Sequence, residues 1–398
     1  MLPGTRKSSL TERASVHLDM ARGVAALAVL VGHVRGLFFV NYHDLPHHSP
    51  LISAFYAATA LGHQAVVVFF VLSGFFIVSS IADSFEQHRW SWTAYLVNRI
   101  TRLSLVLIPA LTLCLILDRI GMAMTATAPL YWQPVTNLFT QSVASLETFR
   151  NFVGNLFYLQ GILVDPFGSN GPLWSLSYEF WYYIIFPFAL CAFVKRYRPS
   201  TRIVYLLLAI VTTWFVGFQI ALYFLLWLLG GAIALSRTVK WSPVRFSGAI
   251  IAAAFPFILV LGLSVAHPLA SAFQTDAIVA LAFAFWTYAA VEASDKAMPA
   301  VYAKPARLFA GFSYTLYLTH FPVVFLLHSR ILGARVWNPT FIHLVYALLI
   351  AAAATFAAYL LALGTETKTS AARRKVMSFF PSTPAARRRA DEAKPPKS

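Results

Sequence analysis

The 398-residue chain is 59% hydrophobic, and only 12% of its residues are charged, about half the charged fraction of a soluble globular protein. This composition excludes an ordinary soluble enzyme, a disordered protein and a collagen-like fibre, and it indicates one polytopic membrane protein. The net charge is +16, and the basic residues stand between apolar runs and in the C-terminal tail. That distribution suits anionic headgroups, so we expect membrane lipids and not nucleic acid as partners.

Apolar runs recur along the chain at the length of ~20 helical residues that a hydrocarbon core of ~30 Å requires. They predict an all-α bundle of about ten transmembrane helices. The predicted spans are 18–40, 61–82, 103–122, 173–194, 203–219, 220–236, 247–265, 276–293, 308–328 and 341–363. The run 203–236 is divided because Gly217, Gln219 and the pair Gly230-Gly231 interrupt it, and because charge placement requires an even number of crossings there.

Charge placement predicts the orientation. With the N-terminus in the cytoplasm, 25 of the 31 lysines and arginines lie on the cytoplasmic side and 5 lie outside, as the positive-inside rule requires. Both termini are then cytoplasmic. The first apolar run is too long and too charged for a cleavable signal peptide. The apolar stretch 152–164 is too short for a span, so we predict that 123–172 is an external loop with a helix dipping partly into the membrane.

Two domains follow from this layout. Residues 1–365 form the transmembrane domain, and 366–398 form a basic, Pro-rich cytoplasmic tail that we expect to be disordered. Cys114 and Cys191 lie in apolar stretches, which is typical of small buried side chains rather than of a disulfide. The spacing of Cys and His residues resembles no zinc site, and no metal is expected.

Ionisable side chains inside apolar spans are costly and therefore indicate function. Asp19 and Arg22 are three residues apart on the first span and share a helical face, as an interfacial ion pair or as part of a site. His33 lies eleven residues after Arg22 on nearly the same face, ~8 Å below the outer edge by helical rise. It either bonds a neighbouring carbonyl or is a base that faces a cavity.

Glu179 on the fourth span is the carboxylate that we expect to lie deepest, ~9 Å below the outer edge. His33 lies at the same predicted depth, so we expect the two side chains to meet. A buried Glu–His pair suits general-base catalysis. The same pair also suits a proton-coupled transporter, and depth alone does not separate the two functions.

Three further features are open to two interpretations each. Arg99 and Arg102 share a face at the inner surface, either as topology signals or as a clamp for phosphate. Ser73, followed by a glycine, forms a small-residue notch for close helix contact, and no G-x-S-x-G elbow surrounds it to make it a nucleophile. His320 stands two residues before Pro322, which frees a backbone carbonyl, in a structural or a functional role.

Five motifs in this order resemble acyltransferase family 3, the integral-membrane acyltransferases that modify surface polysaccharides, Nod factors, peptidoglycan and some macrolides. They are Arg22-x10-His33, FFVLSGFF at 69–76, Arg99-Ile-Thr-Arg102, WSLSYE at 174–179 and SYTLYLTHFP at 313–322. The resemblance implies that acyl-CoA, usually acetyl-CoA, is used from the cytoplasmic side and that the acyl group reaches an acceptor hydroxyl on the far side. It places Arg22 and His33 on the family's essential motif, Arg99 and Arg102 on its paired arginines, and Glu179 on the carboxylate of its W-S-L-S-x-E run.

These expectations combine into one hypothesis: a bacterial inner-membrane O-acyltransferase acting on a glycan or a lipid-linked saccharide. Arg99 and Arg102 would hold the phosphates of coenzyme A, with help from Arg22. His33 would act as general base or carry the acyl group itself, oriented by Glu179. Supporting roles fall to Asp19, Ser73 and His320 and, as candidate oxyanion donors, to Trp174, Ser175 and Tyr178. The alternative is a proton-coupled glycolipid transporter or flippase, although no repeated halves are visible.

Overall fold

The computed structural model describes residues 10–124, 128–134, 141–236, 249–292 and 299–380. Over these residues the chain is helical and contains no β-sheet, so the predicted all-α polytopic bundle is confirmed. The helices are α1 Glu12–Phe38, α2 Pro50–Thr59, α3 Gly62–Glu86, α4 Trp92–Ala123, α5 Ala128–Trp132, α6 Val143–Leu146, α7 Phe149–Leu156, α8 Trp174–Phe193, α9 Pro199–Ser236, α10 Ala249–Ala266, α11 Ala272–Glu292, α12 Ala300–Ala310, α13 Ser313–Ile331, α14 Phe341–Gly364 and α15 Thr369–Ser378.

The predicted spans fall on helices, except that 308–328 crosses the break between α12 and α13. The helices alone do not determine the number of spans. Within the described ranges, seven helices are long and apolar enough to cross a membrane, and α12 with α13, bent by 58°, makes an eighth when the two count together. The expected interruption of 203–236 occurs at Gly217, whose φ of 82° breaks α9. The count of ten spans stays a prediction.

Helix α3 lies at the centre of the bundle and packs against α1, α8, α9 and α11. A Cβ atom at Gly74 would lie 1.9 Å from the carbonyl oxygen of Trp227, and one at Gly230 would lie 1.9 Å from that of Val71. Only glycine allows two backbones to approach so closely. The small-residue notch predicted at Ser73 and Gly74 is therefore confirmed as the contact between α3 and α9.

Hydrogen bonds from buried polar groups hold the segment between α4 and α8 against the bundle. Asp118 on α4 accepts the backbone N–H of Ser169 at 2.8 Å, and the side-chain amide of Asn170 donates to the carbonyl of Leu318 at 2.8 Å. The short helix α7 lies in this segment and ends at residue 156, eight residues before the end of the predicted apolar stretch. These contacts fix the backbone that leads into α8.

The start of the C-terminal tail is ordered, which corrects the predicted disorder from residue 366. A 3-10 turn at Glu366–Lys368 leads into α15, which packs against α4. Glu366 accepts the backbone N–H and the hydroxyl of Thr315, both at 2.9 Å, and Arg373 donates to the side chain of Asn98 at 3.1 Å. The prediction of disorder rested on amino-acid composition, which carries no information about contacts between this segment and the rest of the bundle.

Several predictions lie outside the described residues. They concern the tail from 381 to 398 and the basic residues Arg6, Lys7, Arg237, Lys240, Arg245 and Lys296, which contributed to the predicted orientation. Cys114 and Cys191 are both buried and free, as predicted.

Candidate active site

His33 forms a chain of hydrogen bonds with His320 and the backbone of α13. His33 Nδ1 lies 2.8 Å from His320 Nε2, and His320 Nδ1 lies 2.9 Å from the carbonyl oxygen of Leu316. Because a carbonyl only accepts, His320 carries its proton on Nδ1. With both rings neutral, His320 Nε2 accepts from His33 Nδ1, and the lone pair of His33 remains on Nε2. The relay thus fixes one tautomer of His33.

Packing holds the two imidazoles in place. Their rings are nearly coplanar, with centroids 5.1 Å apart and an interplanar angle of 19°, and the ring of Phe321 meets His33 edge-on at 4.9 Å. His320 is only 1% exposed. The sequence left the role of His320 open, and the structure makes it the direct partner of His33.

The expected contact between His33 and Glu179 is absent from the described residues. The carboxylate of Glu179 accepts the hydroxyl of Ser73 at 3.2 Å and that of Tyr183. Equal depth did not make the two residues neighbours, because α8 packs mainly on α9 whereas α1 packs against α3, α12 and α13.

Glu179 instead lines the arginine cavity, named for Arg22, Arg99 and Arg102 in its wall. Arg22 pairs with Asp19 at 2.6 Å, which confirms that the two share a helical face. Arg99 donates to the hydroxyl of a serine at position 80 at 2.9 Å, and Arg102 is exposed. Among the described residues, neither Arg99 nor Arg102 has a carboxylate within 4 Å, so both guanidinium groups keep capacity for an anion.

A polar network holds the carboxylate side of this cavity. The indole of Trp227 donates to Ser73 Oγ at 3.2 Å, Ser73 donates to Glu179, and Tyr183 donates to the same carboxylate oxygen as Ser73. The Arg99 guanidinium lies over the ring of Tyr183 with 6.0 Å to the centroid. Ser73 therefore positions Glu179, and within the described ranges no histidine is among its hydrogen-bond partners to make it a nucleophile.

A second cavity of about 390 Å³, the histidine cavity, is lined by His33, His63, Arg35 and Trp174. Its volume falls within the range of ligand pockets, roughly 300–1,000 Å³. Part of its wall consists of glycines, at positions 32, 36, 62 and 171. The arginine cavity is smaller, about 90 Å³.

The two cavities share a wall formed by Val66 and Tyr317. The hydroxyl of Tyr317 lies 2.6 Å from that of Ser175 and donates to a backbone carbonyl at 3.1 Å. Of the candidate oxyanion donors, Trp174 lines the histidine cavity and Ser175 the arginine cavity. Tyr178 lines neither of them and stacks on a phenylalanine ring in the core.

Two carboxylates that the sequence analysis did not single out are more completely buried in the protein than Glu179. Asp118 is fully buried and Asp276 is 1% exposed. Both stand inside predicted spans, so the cost of ionisable groups in a membrane was a signal that could have found them. Glu366, near enough to Arg22 to interact electrostatically, gave no such signal because it lies beyond the last predicted span.

One comparison with known proteins gives a match. The family model of an acyltransferase domain, acyltransferase family 3, matches residues 16–363. The chain belongs to this family and is a multi-pass membrane acyltransferase. Neither the comparison with curated proteins nor the comparison with solved structures gives a match.

Proposed function

We propose that this protein is a bacterial inner-membrane O-acyltransferase, which moves an acyl group, acetyl by default, from acyl-CoA to a hydroxyl of an extracytoplasmic glycan. The observation that carries the proposal is the pair of adjoining cavities. One offers Arg99 and Arg102, which have no ionic partner among the described residues, and the other offers an oriented imidazole. Val66 and Tyr317 belong to both walls.

The arginine cavity suits the donor. Arg99 and Arg102 stand near the N-terminal end of α4, and paired guanidinium groups bind phosphate oxygens well. The cavity of about 90 Å³ is too small to enclose a whole coenzyme A. The phosphates would therefore stay at the exposed Arg102, and the slender pantetheine arm would extend inward.

The histidine cavity suits the chemistry. The thioester would pass between Val66 and Tyr317 to reach His33, whose Nε2 lone pair the relay leaves available. This nitrogen either removes the proton of the acceptor hydroxyl or takes the acyl group first. In both cases His320, and not Glu179, orients the imidazole. Glu179 positions groups on the donor side.

A lipid-linked saccharide is the acceptor form that one more observation favours. Arg35 and Thr59 line both the histidine cavity and an apolar groove of about 270 Å³, with walls that include Phe39, Phe55 and Leu348. Arg35 forms no ion pair among the described residues, and its buried Nε has no hydrogen-bond partner. A lipid tail would fit the groove, a phosphate would meet Arg35, and the sugar would reach His33.

The test uses purified protein in lipid vesicles with radiolabelled acetyl-CoA and membranes of the source cells as acceptor. We expect release of free coenzyme A and label in a glycan fraction, with mass spectrometry locating the added acyl mass. His33→Ala should abolish transfer while the protein still inserts and folds. Full transfer by His33→Ala would refute the assignment of His33.

Membership in an acyltransferase family also makes an acyltransferase, and not a transporter, the preferred function. That alternative rested on a proton-sharing pair of His33 and Glu179, and the two side chains have different partners. Transport of a glycolipid without release of coenzyme A would restore it.

A further inference from the structure

A second histidine, His63 at the start of α3, lines the same cavity as His33. Its Nε2 lies 2.7 Å from Oδ2 of Asp276 on α11. The hydroxyl of Tyr223 on α9 donates to the same carboxylate oxygen at 2.5 Å. Three helices thus converge on one buried carboxylate, and the mechanism above uses none of the three residues.

The two histidines lie on facing turns of adjacent helices. A Cβ atom at Gly62 would lie 3.9 Å from the Cα of Gly32, so α1 and α3 touch at the residues that directly precede His63 and His33. Trp174 lies beside His63 with ring centroids 6.3 Å apart and an interplanar angle of 20°. A ligand in this cavity would therefore meet both imidazoles and the indole.

The hydrogen bond to Asp276 determines which nitrogen of His63 can act. A carboxylate accepts, so His63 donates from Nε2, and Nδ1 keeps the lone pair. The side chain of Asp276 is 2% exposed, whereas that of His63 is 47% exposed. The carboxylate would stabilise the imidazolium that forms when Nδ1 takes a proton, as the carboxylate of a catalytic triad does.

We propose that His63, held by Asp276, is the base that removes the proton of the acceptor hydroxyl, and that His33 carries the acyl group. This rests on the proposed function and divides the two half-reactions between two imidazoles. In the first step, His33 Nε2 bonds to the acyl carbon and the carbon–sulfur bond breaks, which gives an acyl-imidazolium and coenzyme A thiolate.

In the second step, the acceptor oxygen bonds to the acyl carbon, the bond to His33 Nε2 breaks, and the hydroxyl proton moves to His63 Nδ1. His33 returns to its neutral form. The proton on His63 balances the one that the thiolate takes up, so the net products are the ester and coenzyme A. Asp276 and Tyr223 act as positioning residues.

The test is His63→Gln, because the glutamine amide can still donate to Asp276 but cannot take a proton. In vesicles with radiolabelled acetyl-CoA and source-cell membranes, we expect transfer to fall about 10²- to 10⁴-fold, the usual contribution of a general base. The first turnover should still release coenzyme A, and label should accumulate on the protein. The double variant with His33→Gln should carry no label.

Hydroxylamine distinguishes catalysis from structure, since it attacks acyl-imidazoles without a base. We expect it to discharge the labelled His63→Gln protein as fast as the unaltered protein. His267→Ala is the matched control, because His267 is an exposed histidine at the end of the neighbouring α10 and should leave transfer unchanged.

Three outcomes would overturn the inference. Full transfer by His63→Gln would make the residue a structural bridge to Asp276. Loss of coenzyme A release in the first turnover would place its role in the donor step or in folding. If His63→Gln lost transfer but no label accumulated on the protein, His33 and not His63 would be the base that deprotonates the acceptor. Failure of the unaltered protein to release coenzyme A would instead refute the proposed function, and so the two failures are distinguishable.

Discussion

The substitution His320→Phe tests whether the relay prepares His33 for reaction. Phenylalanine keeps a ring of similar shape in the core but cannot accept the Nδ1–H of His33. His320→Gln is the matched variant, because the side-chain oxygen of glutamine can still accept that proton. We expect the phenylalanine variant to lose activity and the glutamine variant to retain most of it.

The magnitude follows from the lost hydrogen bond. A buried donor without a partner costs ~1–3 kcal/mol. In the His320→Phe variant the imidazole of His33 can turn to find another acceptor, so this cost is the free energy needed to return His33 to its reactive orientation. This predicts a decrease in kcat/KM of about 5- to 150-fold for His320→Phe. The KM for acyl-CoA should stay unchanged, since the arginine cavity does not include His320.

Steady-state release of coenzyme A by protein in lipid vesicles measures both constants, and thermal unfolding in detergent shows whether the fold is intact. Equal activity in the phenylalanine variant and the unaltered protein would refute the relay. Equal loss in both variants, with unchanged thermal stability, would show that the ring itself and not its acceptor nitrogen matters.

Two further predictions concern the helix contact and the donor site. Gly74→Ala should destabilise the bundle by about 3 kcal/mol, because its Cβ would lie 1.9 Å from a backbone oxygen of α9. The control Gly262→Ala, whose Cβ would enter open space, should leave the Tm unchanged. Equal Tm values for Gly74→Ala and the unaltered protein would contradict the close contact of α3 with α9. The double variant Arg99→Ala with Arg102→Ala should raise the KM for acyl-CoA at least about tenfold through the loss of two charge-assisted contacts. The control Arg89→Ala should leave this KM unchanged. A normal KM in the double variant would show that the two arginines serve only as topology signals.

The sequence by itself determined the features that depend on local spacing. Apolar runs long enough to cross a bilayer predicted helices, and the predicted spans fall on helices, although 308–328 crosses the break between α12 and α13. A separation of three residues places Asp19 and Arg22 on one face of any helix, and the ion pair between them forms in the structure. The Ser73-Gly74 notch likewise predicted a close contact, because only small residues allow it. The family motifs were also readable from the sequence alone.

Only the tertiary structure decided which helices are neighbours, and that choice changed the proposed chemistry. His33 is hydrogen-bonded to His320 and lines the same cavity as His63, whereas Glu179 lines the cavity of the three arginines. Helical rise gives a depth along one axis, but it gives neither the direction a side chain faces nor the order of helices around the bundle. Those depend on packing between distant segments, such as the contact of α3 with α9, and no local pattern encodes them.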